Sequence, residues 1–158
     1  MDHNEITEFD ALVSRFFRAM DVREFPEGWA HDHFTDDATL SSPIGSAEGV
    51  TAVAAHVEES IRRFARTQHT SSDLLVDEAE GVAVTWNALM THVHLDSTLR
   101  SRGADANPLF QVGGHWRAEL RRTPEGWRIS ALSHEALWTT GLPPLLPEGV
   151  KPVLAGDR

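Results

Sequence analysis

The stretch Gly81–Leu95, GVAVTWNALMTHVHL, alternates with a period of two and therefore predicts one long β-strand. One face carries Val82, Val84, Trp86, Ala88, Met90, His92 and His94; the other carries Ala83, Thr85, Asn87, Leu89, Thr91, Val93 and Leu95. A face that begins as ordinary core and ends in two imidazoles fits the wall of a pocket, closed at one end and reactive at the other. The rest of the chain has to supply partners for it. Asn87, on the opposite face, is not among them.

Composition narrows the classes. At 158 residues and 41% hydrophobic content the chain is one domain, long enough to bury a core. A formal charge of −10 opposes nucleic acid and anionic membranes as partners, because both are polyanions. No apolar run reaches the length of a membrane span, and the opening MDHNEITEFD is acidic where a secretory leader is basic and then apolar. A cytoplasmic location is the expectation. Without cysteine there is no disulfide framework, thiolate metal site or cysteine nucleophile. Tyrosine is absent as well, whereas histidine occurs nine times. Histidine titrates near neutrality, so that surplus is the place to look for chemistry. His3, His31 and His56 are expected at the surface.

Along the chain, Asn4–Asp21 reads as an amphipathic helix capped by Asn4 or Thr7, with Ile6, Phe9, Leu12, Val13, Phe16, Phe17 and Met20 on one stripe. Asp21 falls at its C-terminus, where the helix dipole opposes an anion, so a polar or cationic partner inside the fold would have to hold it. Glu24–Phe34 predicts a shorter helix with Pro26 in its first turn and Phe25, Trp29 and Phe34 facing the core. A short strand follows at Ala38–Ser42, then a long helix from Ser46 or Glu48 through Arg66. Thr67–Val76 predicts a strand with His69 near its start. Asp96–Pro108 is a polar loop or pocket rim, longer than most connections.

Leu109–Thr123 and Trp127–Leu137 form a hairpin around the turn Thr123-Pro124-Glu125-Gly126. On its first strand Trp116 and His115 point to opposite sides, and Trp116 is the one expected to face the cavity. The face of His134 is undecided. Residues 139–158 carry too many prolines for a regular helix or central strand, and read either as a cover over an apolar opening through Leu142, Leu145 and Leu146 or as a trailing end. Helices before an antiparallel run indicate an α+β domain over residues 1–138, a curved sheet packed on three N-terminal helices.

Four strings carry a resemblance: FFRAMD at Phe16–Asp21, TQHTSSD at Thr67–Asp73, WNALMTHVH at Trp86–His94, and VGGHWRAELRRTPEGWRI at Val112–Ile129. Together and in this order they resemble the SnoaL-like group of the nuclear transport factor 2-like superfamily, which includes scytalone dehydratase and the bile acid 7α-dehydratases. The resemblance implies a cone-shaped α+β barrel with a curved antiparallel or mixed sheet, a deep pocket, and a homo-oligomer, dimer or trimer. It also implies that Asp21, His69 and His92 are the catalytic residues. Two departures stand out. Met20 and Ser42 replace the tyrosines that hydrogen-bond substrate in scytalone dehydratase, and Phe16 replaces the helix tyrosine of the bile acid enzymes.

Two imidazoles and one carboxylate suit acid–base work near neutral pH. One chemistry is loss of water from a cyclic or polyketide-like hydroxy-carbonyl compound of secondary metabolism. His69 is then the expected proton shuttle, with Asp21 and His92 as an orienting pair, although the two histidines could exchange roles. Phe16, Met20, Trp86, Met90 and Trp116 would bind the substrate, the tryptophans as flat apolar walls. Deprotonation of carbon for ring closure, as in polyketide cyclases, or isomerisation would use the same groups. No cofactor is called for. A metal site seeded by His92 and His94, about 7 Å apart along the strand, with His69 or His115 as third ligand, is the weaker alternative. A non-catalytic small-molecule binder is the remaining one.

Overall fold

The computed structural model describes residues 3–157. Helix α1 (His3–Val22) leads through a single 3₁₀ turn (Trp29–Asp32) to the hairpin β1 (Phe34–Ser42) and β2 (Gly45–Glu48). Helix α2 (Val50–Arg62) follows, then β3 (Phe64–Asp77), β4 (Val82–His94), the short helix α3 (Asp96–Arg102), β5 (Leu109–Thr123) and β6 (Gly126–Thr140). The strands form one curved, unclosed mixed sheet in the order β2-β1-β6-β5-β4-β3, in which only β1 and β6 run parallel.

The apolar stripe of α1 does what its spacing predicts. Phe9, Leu12, Val13, Phe16, Phe17 and Met20 are all buried against the concave face of the sheet, whereas Ile6, at the start of the stripe, stays exposed. Val53, Val57 and Ile61 of α2 close the same core from one side. Neither Asn4 nor Thr7 caps α1; both lie within it, and the Thr7 hydroxyl donates to the carbonyl of His3.

Strand β1 starts at Phe34 rather than Ala38 and β6 runs to Thr140 rather than Leu137, and four further differences from the sequence reading have a local reason. The helix expected over Glu24–Phe34 shrinks to the 3₁₀ turn because Gly28 takes a left-handed φ of 77°. Trp29 and Phe34 are nonetheless buried, and the Trp29 indole N–H donates to Glu58 on α2 at 2.9 Å. Residues Gly45–Glu48 do not open a helix; they pair back on β1, with Ser42 opposite Gly45 and Thr39 opposite Glu48. Helix α2 ends at Arg62, because Phe64 already pairs with His94 across β3 and β4. Finally, the polar connection after β4 holds α3, whose Asp96 in the first turn and Arg100 and Arg102 in the last complement the helix dipole.

The proline-rich end runs across the mouth of the concave face. Leu154 forms a parallel bridge with Ala136 of β6, and the Ala155 and Val153 N–H groups donate to the carbonyls of Ala136 (2.8 Å) and Pro43 (3.0 Å). The Arg102 guanidinium donates to the Pro143 carbonyl, and His94 Nε2 lies 2.9 Å from the Leu142 carbonyl. Leu142 and Leu145, two of the side chains expected to cover the opening, are both 60% exposed; Pro143, Pro144 and Leu146 face the cavity instead.

Candidate active site

A cavity of about 160 Å³ lies between α1, α2, the concave face and this strap. It is similar in size to engineered cavities that take up a benzene ring. Its lining is overwhelmingly apolar, from Phe16, Met20, Met90, Phe110, Val112 and Trp116, with imidazoles set into it from β3, β4 and β6.

Asp21 is held as its unfavourable place at the C-terminus of α1 requires. One carboxylate oxygen accepts from the Thr67 hydroxyl at 2.9 Å and lies 2.6 Å from His69 Nδ1; the other accepts from the His69 backbone N–H at 2.8 Å. All these donors come from β3, so the edge strand completes a site begun on α1. Burial pushes the Asp21 pKa up, but the hydrogen bonds from His69 and Thr67 outweigh it and leave the carboxyl below its usual range. An ionised Asp21 fixes the proton on His69 Nδ1, and that leaves Nε2 bare. The His69 side chain is only 5% exposed.

His92 is also buried, its Nδ1 lying 3.0 Å from the Phe110 carbonyl, an acceptor that fixes its proton there too. The rings of His69 and His92 stand edge to face with centroids 5.9 Å apart. Burial, reinforced by the neighbouring His69, lowers the His92 pKa to about 4. The structure therefore brings Asp21, His69 and His92 together. Asp21 orients His69, and His92 is oriented by a backbone carbonyl.

Of the five expected substrate contacts, Phe16, Met20, Met90 and Trp116 line the cavity. Trp86 does not. It is 1% exposed and sits behind Trp116, the two indoles stacked at 5.9 Å and 15°. His115 faces away from the cavity, as expected, and is exposed. His94, at the end of the β4 face that carries His92, is 1% exposed and anchors the strap. Among the described residues no group of three His, Asp or Glu side chains has the geometry to hold a metal ion.

Two cavity histidines were not singled out by sequence reasoning. His56, expected at the surface, lines the cavity with its Nε2 3.1 Å from the Ser42 hydroxyl. His134 lines it from β6 with its ring flat on Trp116, centroids 4.3 Å apart and planes within 5°. Gly114 makes room for it. A Cβ there would fall 2.8 Å from Met90 Cε, 3.0 Å from the Glu135 carbonyl oxygen and 3.2 Å from His134 Nε2. Gly114→Ala should therefore cost about 1–3 kcal/mol, read as a lowered urea midpoint, because the backbone contact with Glu135 cannot swing aside.

Buried neutral imidazoles also set a pH limit. Burial, with His69 and His92 adding to it, lowers the His134 pKa to about 3. For His92 and His134 the unfolded chain binds protons more readily than the folded one once pH falls below the ordinary value near 6.5. Stability should fall between pH 7 and pH 5 by about 2 kcal/mol for each. Urea unfolding at the two pH values checks this, and His92→Asn should flatten the dependence.

Residues 2–133 match the family described as the SnoaL-like domain. The chain belongs to that family. No curated protein matches the sequence. Among solved structures, the Kfla4162 protein from Kribbella flavida superposes with a TM-score of 0.75 at 19% identity, over 87% of this chain and 93% of that one. A protein from Novosphingobium aromaticivorans assigned as a scytalone dehydratase gives 0.71 at 19% identity, over 92% and 93%. A type 2 hexachlorocyclohexane dehydrochlorinase, LinA, gives 0.73 at 18% identity, over 92% and 95%. These likenesses establish the nuclear transport factor 2-like fold of this SnoaL-like domain. Among the described residues no helix is long and apolar enough to cross a membrane.

Proposed function

We propose that this SnoaL-like domain is a cofactor-independent acid–base lyase, a dehydratase of a cyclic or polyketide-like hydroxy-carbonyl compound. One observation carries the reading: His69 is clamped by an ionised carboxylate at 2.6 Å and turns its bare Nε2 away from that clamp in an apolar cavity. That is a base whose conjugate acid is stabilised and whose water supply is restricted.

The balance is simple. His69 Nε2 takes the proton from the carbon next to the carbonyl, and Asp21 stabilises the imidazolium. The electron pair left on carbon forms the new C=C bond as the C–O bond one carbon further on breaks. The proton on His69 Nε2 then goes to the departing oxygen, which leaves as water, and the imidazole is restored. His92, with its Nε2 bare, accepts from the substrate hydroxyl and holds it on the side from which it leaves. Two structural neighbours, one assigned as a scytalone dehydratase and the other a hexachlorocyclohexane dehydrochlorinase, support elimination chemistry on this scaffold.

Mass analysis of a strain lacking the gene tests the proposal. A compound heavier than the missing product by one water supports dehydration. An isomer of that product would favour ring closure or isomerisation, and no change in small molecules would favour a binder.

A further inference from the structure

Elimination next to a carbonyl places negative charge on the carbonyl oxygen, and that oxygen needs a donor. In this chain the usual phenolic donor cannot exist, since there is no tyrosine. His69 and His92 both spend their Nδ1 protons, on Asp21 and on the Phe110 carbonyl. The hydroxyls of Ser42 and Ser60, on the α2 side of the cavity, donate to the carbonyls of Gly45 and His56.

His134 is different. Its Nε2 is buried without a partner, and no hydrogen bond among the described residues reaches the ring. A buried polar atom left unsatisfied is costly, so its persistence calls for an explanation. The ring is not loose: it lies flat on Trp116, which fixes its plane. Its Nε2 lies over Gly114 on the floor of the cavity that His69 and His92 also line. Met90, the register partner of His69 on the adjacent strand, brings its Cε up to Gly114 from one side while His134 approaches from the other. The missing Cβ of Gly114 thus lets His134 pack beside the strand that carries His92.

We propose that His134 holds and polarises the substrate's carbonyl oxygen from the β6 wall of the cavity that His69 and His92 also line. This rests on the dehydratase reading above and adds to it the recognition of a neutral ketone. A buried ring that stays uncharged carries one N–H, which suits an uncharged carbonyl better than a carboxylate substrate.

The probe is cyclohex-2-enone with a ¹³C-labelled carbonyl, a single-ring ketone small enough for the cavity, added to the full chain. In the wild type the bound carbonyl stretch should move to lower frequency than in hexane, and the enone should bind about fivefold more tightly than 1-methylcyclohexene. His134→Phe, which keeps a flat ring on Trp116, should abolish both the shift and the preference, whereas His69→Asn should keep them. His134→Asn, which retains a donor, should restore part of the shift and serves if the phenylalanine variant fails to fold. A shift that survives in His134→Phe, or a wild type with no preference for the ketone, overturns the inference. The dehydratase reading is judged separately, by whether His69→Asn restores product to the strain lacking the gene. If it does, that reading falls whatever His134 does.

Discussion

His69→Asn is expected to lower turnover by about a hundred- to ten-thousandfold, the range that a positioned proton acceptor contributes. Asparagine is close to histidine in reach but cannot take and return a proton, so KM should move far less than kcat. Asp21→Asn should approach the same loss by another route. Its amide can offer an N–H to His69 Nδ1, where the carboxylate now accepts, and that would place the imidazole proton on Nε2, the wrong nitrogen for a base. The two substitutions separate in stability. Asp21 accepts from the Thr67 hydroxyl and the His69 backbone as well as the ring, so its replacement should also lower the unfolding free energy by about 1.5–3 kcal/mol. That difference should shrink in acid: the Asp21 pKa is depressed in the fold, so its contribution is present above the unfolded value of 3.8 and lost as pH falls through the folded one. Steady-state kinetics and urea unfolding on the three proteins measure both effects. Equal turnover in wild type and His69→Asn would remove the base from the proposed reaction.

The largest loss of stability should come from a residue that the sequence suggests for substrate contact. Trp86→Ala is expected to cost about 3–5 kcal/mol, since a fully enclosed indole leaves a cavity its neighbours cannot fill. Trp86 packs edge-on to Phe17 at 6.0 Å and flat on Trp116 at 5.9 Å, so it ties α1 to the middle of the sheet. A domain of this size holds only about 5–15 kcal/mol in total, and the urea midpoint should drop accordingly with little change in slope. Trp116→Ala, at the cavity surface, should cost less stability and more ligand affinity. A Trp86→Ala protein as stable as the wild type would mean that Trp86 is not packed as described.

The contrast between those two tryptophans shows where a linear pattern stops being informative. The alternation of β4 was legible because nothing interrupts it: Trp86, Ala88, Met90, His92 and His94 are all buried, as the period of two requires. Which of them reach an open cavity depends on how the helices cover that face, and α1 covers Trp86 through Phe17. The same holds for Asp21. Its position at a helix end announced that something must hold it, and the resemblance pointed to the three groups, but the pairing with His69 rather than His92 follows from the register of the edge strand. His134 was illegible for a more specific reason. Ile129 and Leu132 are both buried although they are an odd three positions apart, because the extra residue at Ser130 shifts the register between β5 and β6. Counting by twos from Trp127 sends His134 outward; the bulge turns it in. Likewise β2 is a short edge whose only signal is a turn, and the helix before β1 fails on a single left-handed glycine.

The strap has an evolutionary consequence. Asp21, His69 and His92 stand on α1, β3 and β4, whereas the outermost wall of the cavity is supplied by Pro143, Pro144, Leu146, Pro152 and Leu154, after the last strand of the sheet has ended. Residues there can be exchanged, lengthened or shortened without redrawing the sheet or disturbing the dyad. Selection can therefore retune which molecules this cavity admits by changing the strap alone, while the buried carboxylate and imidazoles stay as they are.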